Sequence, residues 1–362
     1  MTSEADRRPP TKAFLHIAVR LAVTLAIGTL GGWTLSQFRI PLAWMLGAMI
    51  ATTIIAMSGA RLQRPIRLRI IMLAVLGVML GSAFTPAILQ SIPGWLTTMS
   101  AMTVFVIMVT MIGYSGLRQM LGFDQPTAFF SAVPGGLTDM TVAGGAMGGD
   151  DRSIALIHSV RIMLTVLIIP FWFRFVEGVI PVNTASAIAI INDLSVSDGF
   201  MLLAAGVGGP LVARAARIPA YPLIGAMVAS MSIHLAGFTA AKPPIELVNI
   251  AQIVVGTSIG CRFIGVSILE IPRTLFAAVI TGLYMVAAAA LAALALEPVT
   301  DVPFSALWLA FAPGGLPEMM LMSIALGVDP AFVSTHHLYR VILLVIIAPV
   351  SYRLYSRWRD KR

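Results

Sequence analysis

Ala132-Val133-Pro134-Gly135-Gly136-Leu137-Thr138-Asp139-Met140 occurs a second time, as Phe311-Ala312-Pro313-Gly314-Gly315-Leu316-Pro317-Glu318-Met319, 179 positions later. Both copies lie inside apolar stretches long enough to enter a bilayer. A Pro-Gly-Gly there interrupts a helix, because proline removes a donor and glycine adds backbone freedom. The acid three residues after the second glycine then falls in the first turn of the helix that resumes. Irregular backbone at membrane depth is tolerated only where protein buries it or where it lines a cavity. Two such breaks, each with an acid, have the pattern of a transport site.

The duplication extends outward from the motif. Ile40-Pro41 followed by Gly47-Ala48-Met49 returns as Ile218-Pro219 followed by Gly225-Ala226-Met227. Gly77, Gly81 and Phe84 return as Gly256, Gly260 and Phe263, and Asp150, His158, Arg161 and Pro170 return as Asp329, His337, Arg340 and Pro349. Ordered matches at a nearly constant offset mean an internal repeat, a common transporter architecture.

Composition sets the class. Hydrophobic residues make up 58% of the chain and charged residues 11%, with a mean hydropathy of +0.91. A soluble domain carries roughly a quarter charged residues, so this is an integral membrane protein. The net charge of +8 does not point to nucleic acid, since the basic residues lie mainly at segment ends, where they orient spans. The single cysteine, Cys261, rules out a disulfide or a cysteine-based metal cluster. The five histidines lack metal-binding spacing, and no phosphate loop, catalytic triad or nucleotide fingerprint is present. The expectation is therefore no enzyme, no cofactor and no metal.

Apolar segments fall near 14–36, 40–59, 68–89, 93–116, 126–149 and 153–176, and again near 199–216, 218–237, 245–266, 272–296, 304–327 and 331–352. This divides the chain into an N-terminal tail (1–13), a first membrane repeat (14–176), a polar linker (177–198), a second repeat (199–352) and a basic tail (353–362). Arg7, Arg8 and Lys12 before an apolar run resemble a signal peptide. No cleavage site of the usual kind follows, which makes the run a retained span with its N-terminus inside.

Loop charges test the relative orientation of the repeats. If each Pro-Gly-Gly segment re-enters and returns to its own side, each half has five spans and the second half is upside down. Eighteen Lys and Arg then fall inside and three (Arg39, Arg174, Lys242) outside. If all twelve segments cross, the division is fifteen to six. The positive-inside rule favours inverted repeats, so the fold expected is an all-α polytopic membrane protein of ten to twelve membrane segments.

The groups able to carry chemistry are few. Asp139 and Glu318 either cap the helices that follow the breaks or bind a coupling proton, a cation or a cationic part of the substrate. Arg161 and Arg340, inside the next segments, either pair with an acid (Asp139, Glu318, Asp150 or Asp329) or recognise an anion. His158 and His337 precede them by three residues on the same helical face, suited to packing hydrogen bonds or a proton relay. With Pro134, Gly135, Gly136, Pro313, Gly314 and Gly315, these form the candidate substrate and ion site. The paired glycines, Gly31-Gly32 and Gly208-Gly209 among them, suit close helix packing.

The duplicated Pro-Gly-Gly-Leu-x-[Asp/Glu]-Met and the Ile-Pro…Gly-Ala-Met repeat resemble the AbrB family of duplicated membrane proteins over roughly residues 20–355. That family shares only its name with the small DNA-binding AbrB fold, and its members carry labels such as ammonia monooxygenase or regulator of gene expression. The resemblance implies a polytopic protein of the bacterial inner membrane and supplies no catalytic residues. A fainter similarity links the chain to bile-acid/sodium symporters and cation–proton antiporters, which have inverted repeats with broken helices. Asp139 and Glu318 stand where that group has sodium-site asparagines, which leans towards protons. The function expected is secondary transport or export of a small solute, with the site at the two breaks. The alternative is a membrane-bound regulator or sensor. Expected partners are the bilayer and a small-molecule or ion substrate, with no nucleic acid; a homo-oligomer is compatible with this. Both termini are expected in the cytoplasm.

Overall fold

The computed structural model describes residues 10–86, 88, 91–179, 194–218, 220–266 and 272–359. Most of the expected linker and the far ends of both tails lie outside the described residues, as does Pro219. Among those described, the chain forms fourteen α-helices in two series of seven. The first series is α1 (Pro10–Ser36), α2 (Ala43–Met57), α3 (Ile66–Gly81), α4 (Leu96–Ser115), α5 (Gln125–Ala132), α6 (Leu137–Ala146) and α7 (Asp151–Phe175). The second is α8 (Val196–Ala215), α9 (Tyr221–Leu235), α10 (Ile245–Gly260), α11 (Pro272–Leu296), α12 (Phe304–Phe311), α13 (Leu316–Ala325) and α14 (Pro330–Arg359). The repeat seen in the sequence is thus a repeat of structure.

Six segments, built on α1, α4, α7, α8, α11 and α14, are long and apolar enough to cross a membrane. By contrast α2, α3, α9 and α10 have only 15 or 16 residues. At 1.5 Å per residue they rise about 22–24 Å, less than the roughly 30 Å hydrocarbon core. The spans expected at 40–59 and 68–89, and their counterparts, are shorter as helices because irregular turns consume their ends. Before α2 the chain turns through left-handed Arg39 (φ 52°) and Leu42 (φ 57°); before α9 it does so through Arg217 (φ 56°) and Ala220 (φ 49°). Four non-glycine residues in this region, at equivalent positions, mark a turn that both repeats share.

Glycines let these short helices sit backbone to backbone, as the small-residue pattern suggests. Gly31 of α1 lies on the Gly47 carbonyl of α2, and Gly209 of α8 on that of Gly225 in α9. Between repeats, Gly77 and Gly81 of α3 lie on the Leu223 and Met227 carbonyls of α9, while Gly256 and Gly260 of α10 lie on those of Met45 and Met49 in α2. The same contact therefore occurs twice with the repeats exchanged, which is pseudo-two-fold symmetry.

The interrupted segments are re-entrant hairpins. The Asp150 N–H, just after α6, donates to Thr127 Oγ1 in the first turn of α5 (2.7 Å), so the chain has come back to where it went in. Each limb is short: eight residues of α5 rise about 12 Å. Helix α7 then runs parallel to α5, with His158 beside Phe130 and Arg161 beside Val133. Helix α14 runs parallel to α12 in the same way, with His337 beside Leu309 and Arg340 beside Ala312. A helix that follows α13 and runs parallel to α12 requires α13 to have returned.

The two hairpins come in from opposite faces. Trp172 and Phe173, at the far end of α7, pack on Trp308 of α12 with ring centroids 5.8 and 5.5 Å apart. Tyr352, far along α14, packs on Phe129 and Phe130 of α5 at 5.4 and 5.3 Å. Helix α7 therefore runs from the base of the first hairpin to the second, and α14 runs back. The repeats are inverted. The basic connections follow suit: Ala56, Leu117, Phe123, Phe263 and Ala277 share one buried cluster at the base of the first hairpin. This gathers the stretches bearing Arg61, Arg64, Arg118, Arg262 and Arg273 on one face.

Candidate functional site

Both hairpin tips lie inside the protein. Val133 and Met140 of the first, and Ala312, Leu316 and Met319 of the second, belong to one buried apolar cluster. At each tip the motif is used residue by residue. A side chain on Gly135 or Gly314 would strike Met140 or Met319, about 2.9 Å from a virtual Cβ. The second glycine leaves room for the acid, since the carboxylates of Asp139 and Glu318 fold back over Gly136 and Gly315. Neither glycine uses the conformational freedom expected of it: Gly136 has φ −65° and Gly315 φ −77°, ordinary extended backbone. They are needed for space.

The break frees the last carbonyls of α5 and α12, which no longer have helical donors. Arginine and histidine supply them. Arg161 Nη1 donates to Val133 O (3.1 Å) and Nη2 to Gly135 O (2.9 Å). Arg340 Nη1 donates to Phe311 O (3.2 Å) and Ala312 O (2.7 Å), and Nη2 to Gly314 O (3.4 Å). His158 Nε2 donates to Phe130 O and His337 Nε2 to Leu309 O, both at 2.9 Å. His337 Nδ1 is then left to accept from Arg340 Nη2 (3.1 Å), which fixes the ring as the neutral Nε2–H tautomer. A cation at the C-terminal end of a half-helix also suits its dipole.

This differs from the ion pairs that were one expectation for the arginines. Neither guanidinium bonds a carboxylate among the described residues, and the acids proposed as partners do other work. Asp150 caps α7, accepting from the Arg152 and Ser153 amides (3.1 and 3.2 Å). Asp329 accepts from the Ala331 amide at the start of α14 (2.9 Å). The arginines are 2% and 3% exposed, and their charge is met chiefly by backbone carbonyls rather than by an acidic side chain.

The acids sit in unequal surroundings. Glu318 is 5% exposed, and its Oε2 is buried without a partner. Asp139 is half-buried beside exposed Thr138. The second limbs differ likewise: α13 is buried along nearly its whole length, whereas only Met140 and Gly144 of α6 are buried. Two arginines absent from the sequence-based site, Arg69 at the start of α3 and Arg262 just after α10, are the cations whose charge bears on Glu318. Both lie off the repeat, facing Val248 and Ala83 in the other half. Arginines near apolar segment ends were the only sequence signal, and there they read as topology markers.

A family model described as Transition state regulatory protein AbrB matches residues 44–356, both hairpins included. The chain belongs to the AbrB family. Among its curated relatives, the "Uncharacterized protein YhjN" of Bacillus subtilis (strain 168) is 26% identical, with 91% of each chain aligned. The "Putative regulator AbrB" of Escherichia coli (strain K12) is 24% identical, covering 94% of this chain and 96% of its own. Most of this AbrB-family chain therefore aligns with most of each relative.

Proposed function

We propose that this protein is a secondary transporter or exporter of a small solute, coupled to protons, working by alternating access at the two hairpin tips. One observation carries the reading: acids equivalent in sequence, on hairpins from opposite faces, are buried in one repeat and half-open in the other. In an inverted-repeat transporter, such inequality is what a single access state looks like, and exchanging the two environments gives the opposite state. Ionisable groups are otherwise too costly at this depth to be retained without use. The arginine-rich face is the cytoplasmic one by the positive-inside rule, which puts both termini inside a bacterial inner membrane. The reading is of a transporter rather than an enzyme; among the described residues no three His, Cys, Asp or Glu side chains gather as metal ligands would. The regulator in one relative's name fits an indirect effect, through the level of a transported solute.

The test is flux through purified protein in vesicles loaded with a pH-sensitive dye, against a panel of small organic acids, amines and amino acids. Wild type is expected to couple proton movement to one of them. Asp139→Asn and Glu318→Gln are expected to abolish it without lowering membrane levels. Full flux by the double variant removes the acids from the mechanism.

A further inference from the structure

A cavity of about 570 Å³ lies on the flank of the second repeat, walled by α3, α8 and the starts of α9 and α10. Pockets that hold small molecules run from roughly 300 to 1,000 Å³. One face of α8 lines it from Gly199 to Arg214, a rise of about 22 Å. That exceeds one leaflet's half of the roughly 30 Å hydrocarbon core. Helix α8 is apolar and long enough to cross the membrane. Its Leu203, Val207 and Leu211, 64%, 54% and 60% exposed, therefore open the cavity sideways to lipid.

The two ends of the cavity differ in charge. Gly77 on Leu223 and Gly81 on Met227 make α3 parallel to α9, while Gly209 against Gly225 and Ala229, with Gly225 also against Ala213, makes α9 antiparallel to α8. The end of α8 thus lies beside the start of α3, on the arginine-rich face. There Arg214 is exposed, and it is the one charged side chain among the described residues that line the cavity. Tyr221 lines the same end, as suits an aromatic with a polar tip at a membrane interface. The opposite end carries an acid instead: Asp198, next to Gly199, accepts from Thr239 Oγ1 (2.6 Å).

The first repeat closes the equivalent place. Aligned as Gly31 is with Gly209, Gly28 stands for Gly206, and Thr257 stands for Val78. A Cβ on Gly28 would strike Thr257 Oγ1, whereas one on Gly206 would lie 3.4 Å from Val78 Cγ2. Thr24 Oγ1 also accepts from the Gln63 amide (3.0 Å), where the second repeat has apolar Leu202 in place of Thr24. Arg214 has Ser36 in its place. The open cavity and the cation at its mouth occur together in the second repeat.

We propose that this cavity holds one acyl chain of an anionic phospholipid from the leaflet on the arginine-rich face, with the lipid phosphate at Arg214. A guanidinium pairs with phosphate through two parallel donors, and basic pockets between spans on that face select anionic headgroups. The acid at the far end disfavours the reverse orientation. A lipid seated there touches α3 of one repeat and α8 of the other, and so braces their junction.

The experiment is thermal denaturation of the full chain in detergent, titrated with phosphatidylglycerol or with phosphatidylcholine of the same acyl chains. A saturable rise in melting midpoint is expected. Phosphatidylglycerol should half-saturate at a roughly fivefold lower mole fraction, the effect of one basic side chain near an anionic lipid. Arg214→Gln should abolish that preference, and Arg214→Lys should keep most of it. Arg152→Gln, at an exposed position on the same face, should leave it unchanged. Gly199→Phe, where a Cβ meets nothing within 4 Å, fills the far end and should weaken both lipids; its lipid-free midpoint reports folding. The proposal is overturned by the lack of a saturable rise, by a preference that survives Arg214→Gln or falls equally with Arg152→Gln, or by lipid affinity untouched in a folded Gly199→Phe. Equal stabilisation by inorganic phosphate or by free palmitate overturns it too.

Discussion

Arg340→Leu is expected to lower the stability of the folded protein by several kcal/mol, the largest effect of any single substitution at the hairpin tips. The guanidinium supplies the Phe311, Ala312 and Gly314 carbonyls and the His337 ring. A leucine of similar bulk fills the volume but leaves these acceptors in an apolar interior, at about 1–3 kcal/mol each for a buried unsatisfied group. Removing a buried charge offsets part of this, since the guanidinium is itself costly to desolvate. The balance remains unfavourable because the carbonyls belong to the break and cannot be removed with the side chain. Arg340→Lys should recover only part, as one ammonium cannot span the carbonyls that the fork spans. Arg161→Leu, which strands two carbonyls, should cost less than Arg340→Leu. Thermal denaturation in detergent, read by intrinsic fluorescence, gives the order. An Arg340→Leu midpoint equal to wild type would mean that the arginine does not hold the hairpin.

The second large effect falls on two adjacent glycines and has opposite signs. Gly209→Ala drives a methyl group into the Gly225 backbone and within 2.8 Å of the Ala229 Cβ. The obstacle is main chain, so α8 must move off α9, at about 1–3 kcal/mol for an overpacked contact. Gly208→Ala meets nothing within 4 Å and gains helix propensity, about 0.5–1 kcal/mol in its favour. The expected pair is a lowered melting midpoint for Gly209→Ala and an equal or raised one for Gly208→Ala. Equal destabilisation by both would remove close packing as the reason for the glycine.

Much of this was readable from the sequence, and the parts that were not have physical reasons. The motif, its 179-residue echo and the basic loops carry the membrane class, the repeat and the inverted arrangement, because each depends on residue type and spacing alone. The partners of Arg161 and Arg340 were not readable. Sequence analysis matches side chains with side chains, yet the acceptors here are carbonyls created by the break. Gly208 and Gly209 look alike until neighbouring backbones are placed. The inequality of Asp139 and Glu318 depends on which neighbours the fold packs around each, and two near-identical motifs do not reveal that. Arg69 and Arg262 escape notice because they lie off the repeat and double as topology markers.

The most direct test of inversion uses equivalent exposed positions just before the two hairpins, Met120 and Val299, which are 85% and 69% exposed and 179 residues apart. Buried Cys261 is first changed to alanine, and single cysteines at 120 or 299 are then probed with an impermeant maleimide in intact cells and in inside-out vesicles. Inverted repeats predict labelling from opposite faces, with Met120→Cys on the cytoplasmic side. Labelling of both from the same face would contradict the inverted fold and, with it, the convergence of the two hairpins on a common site.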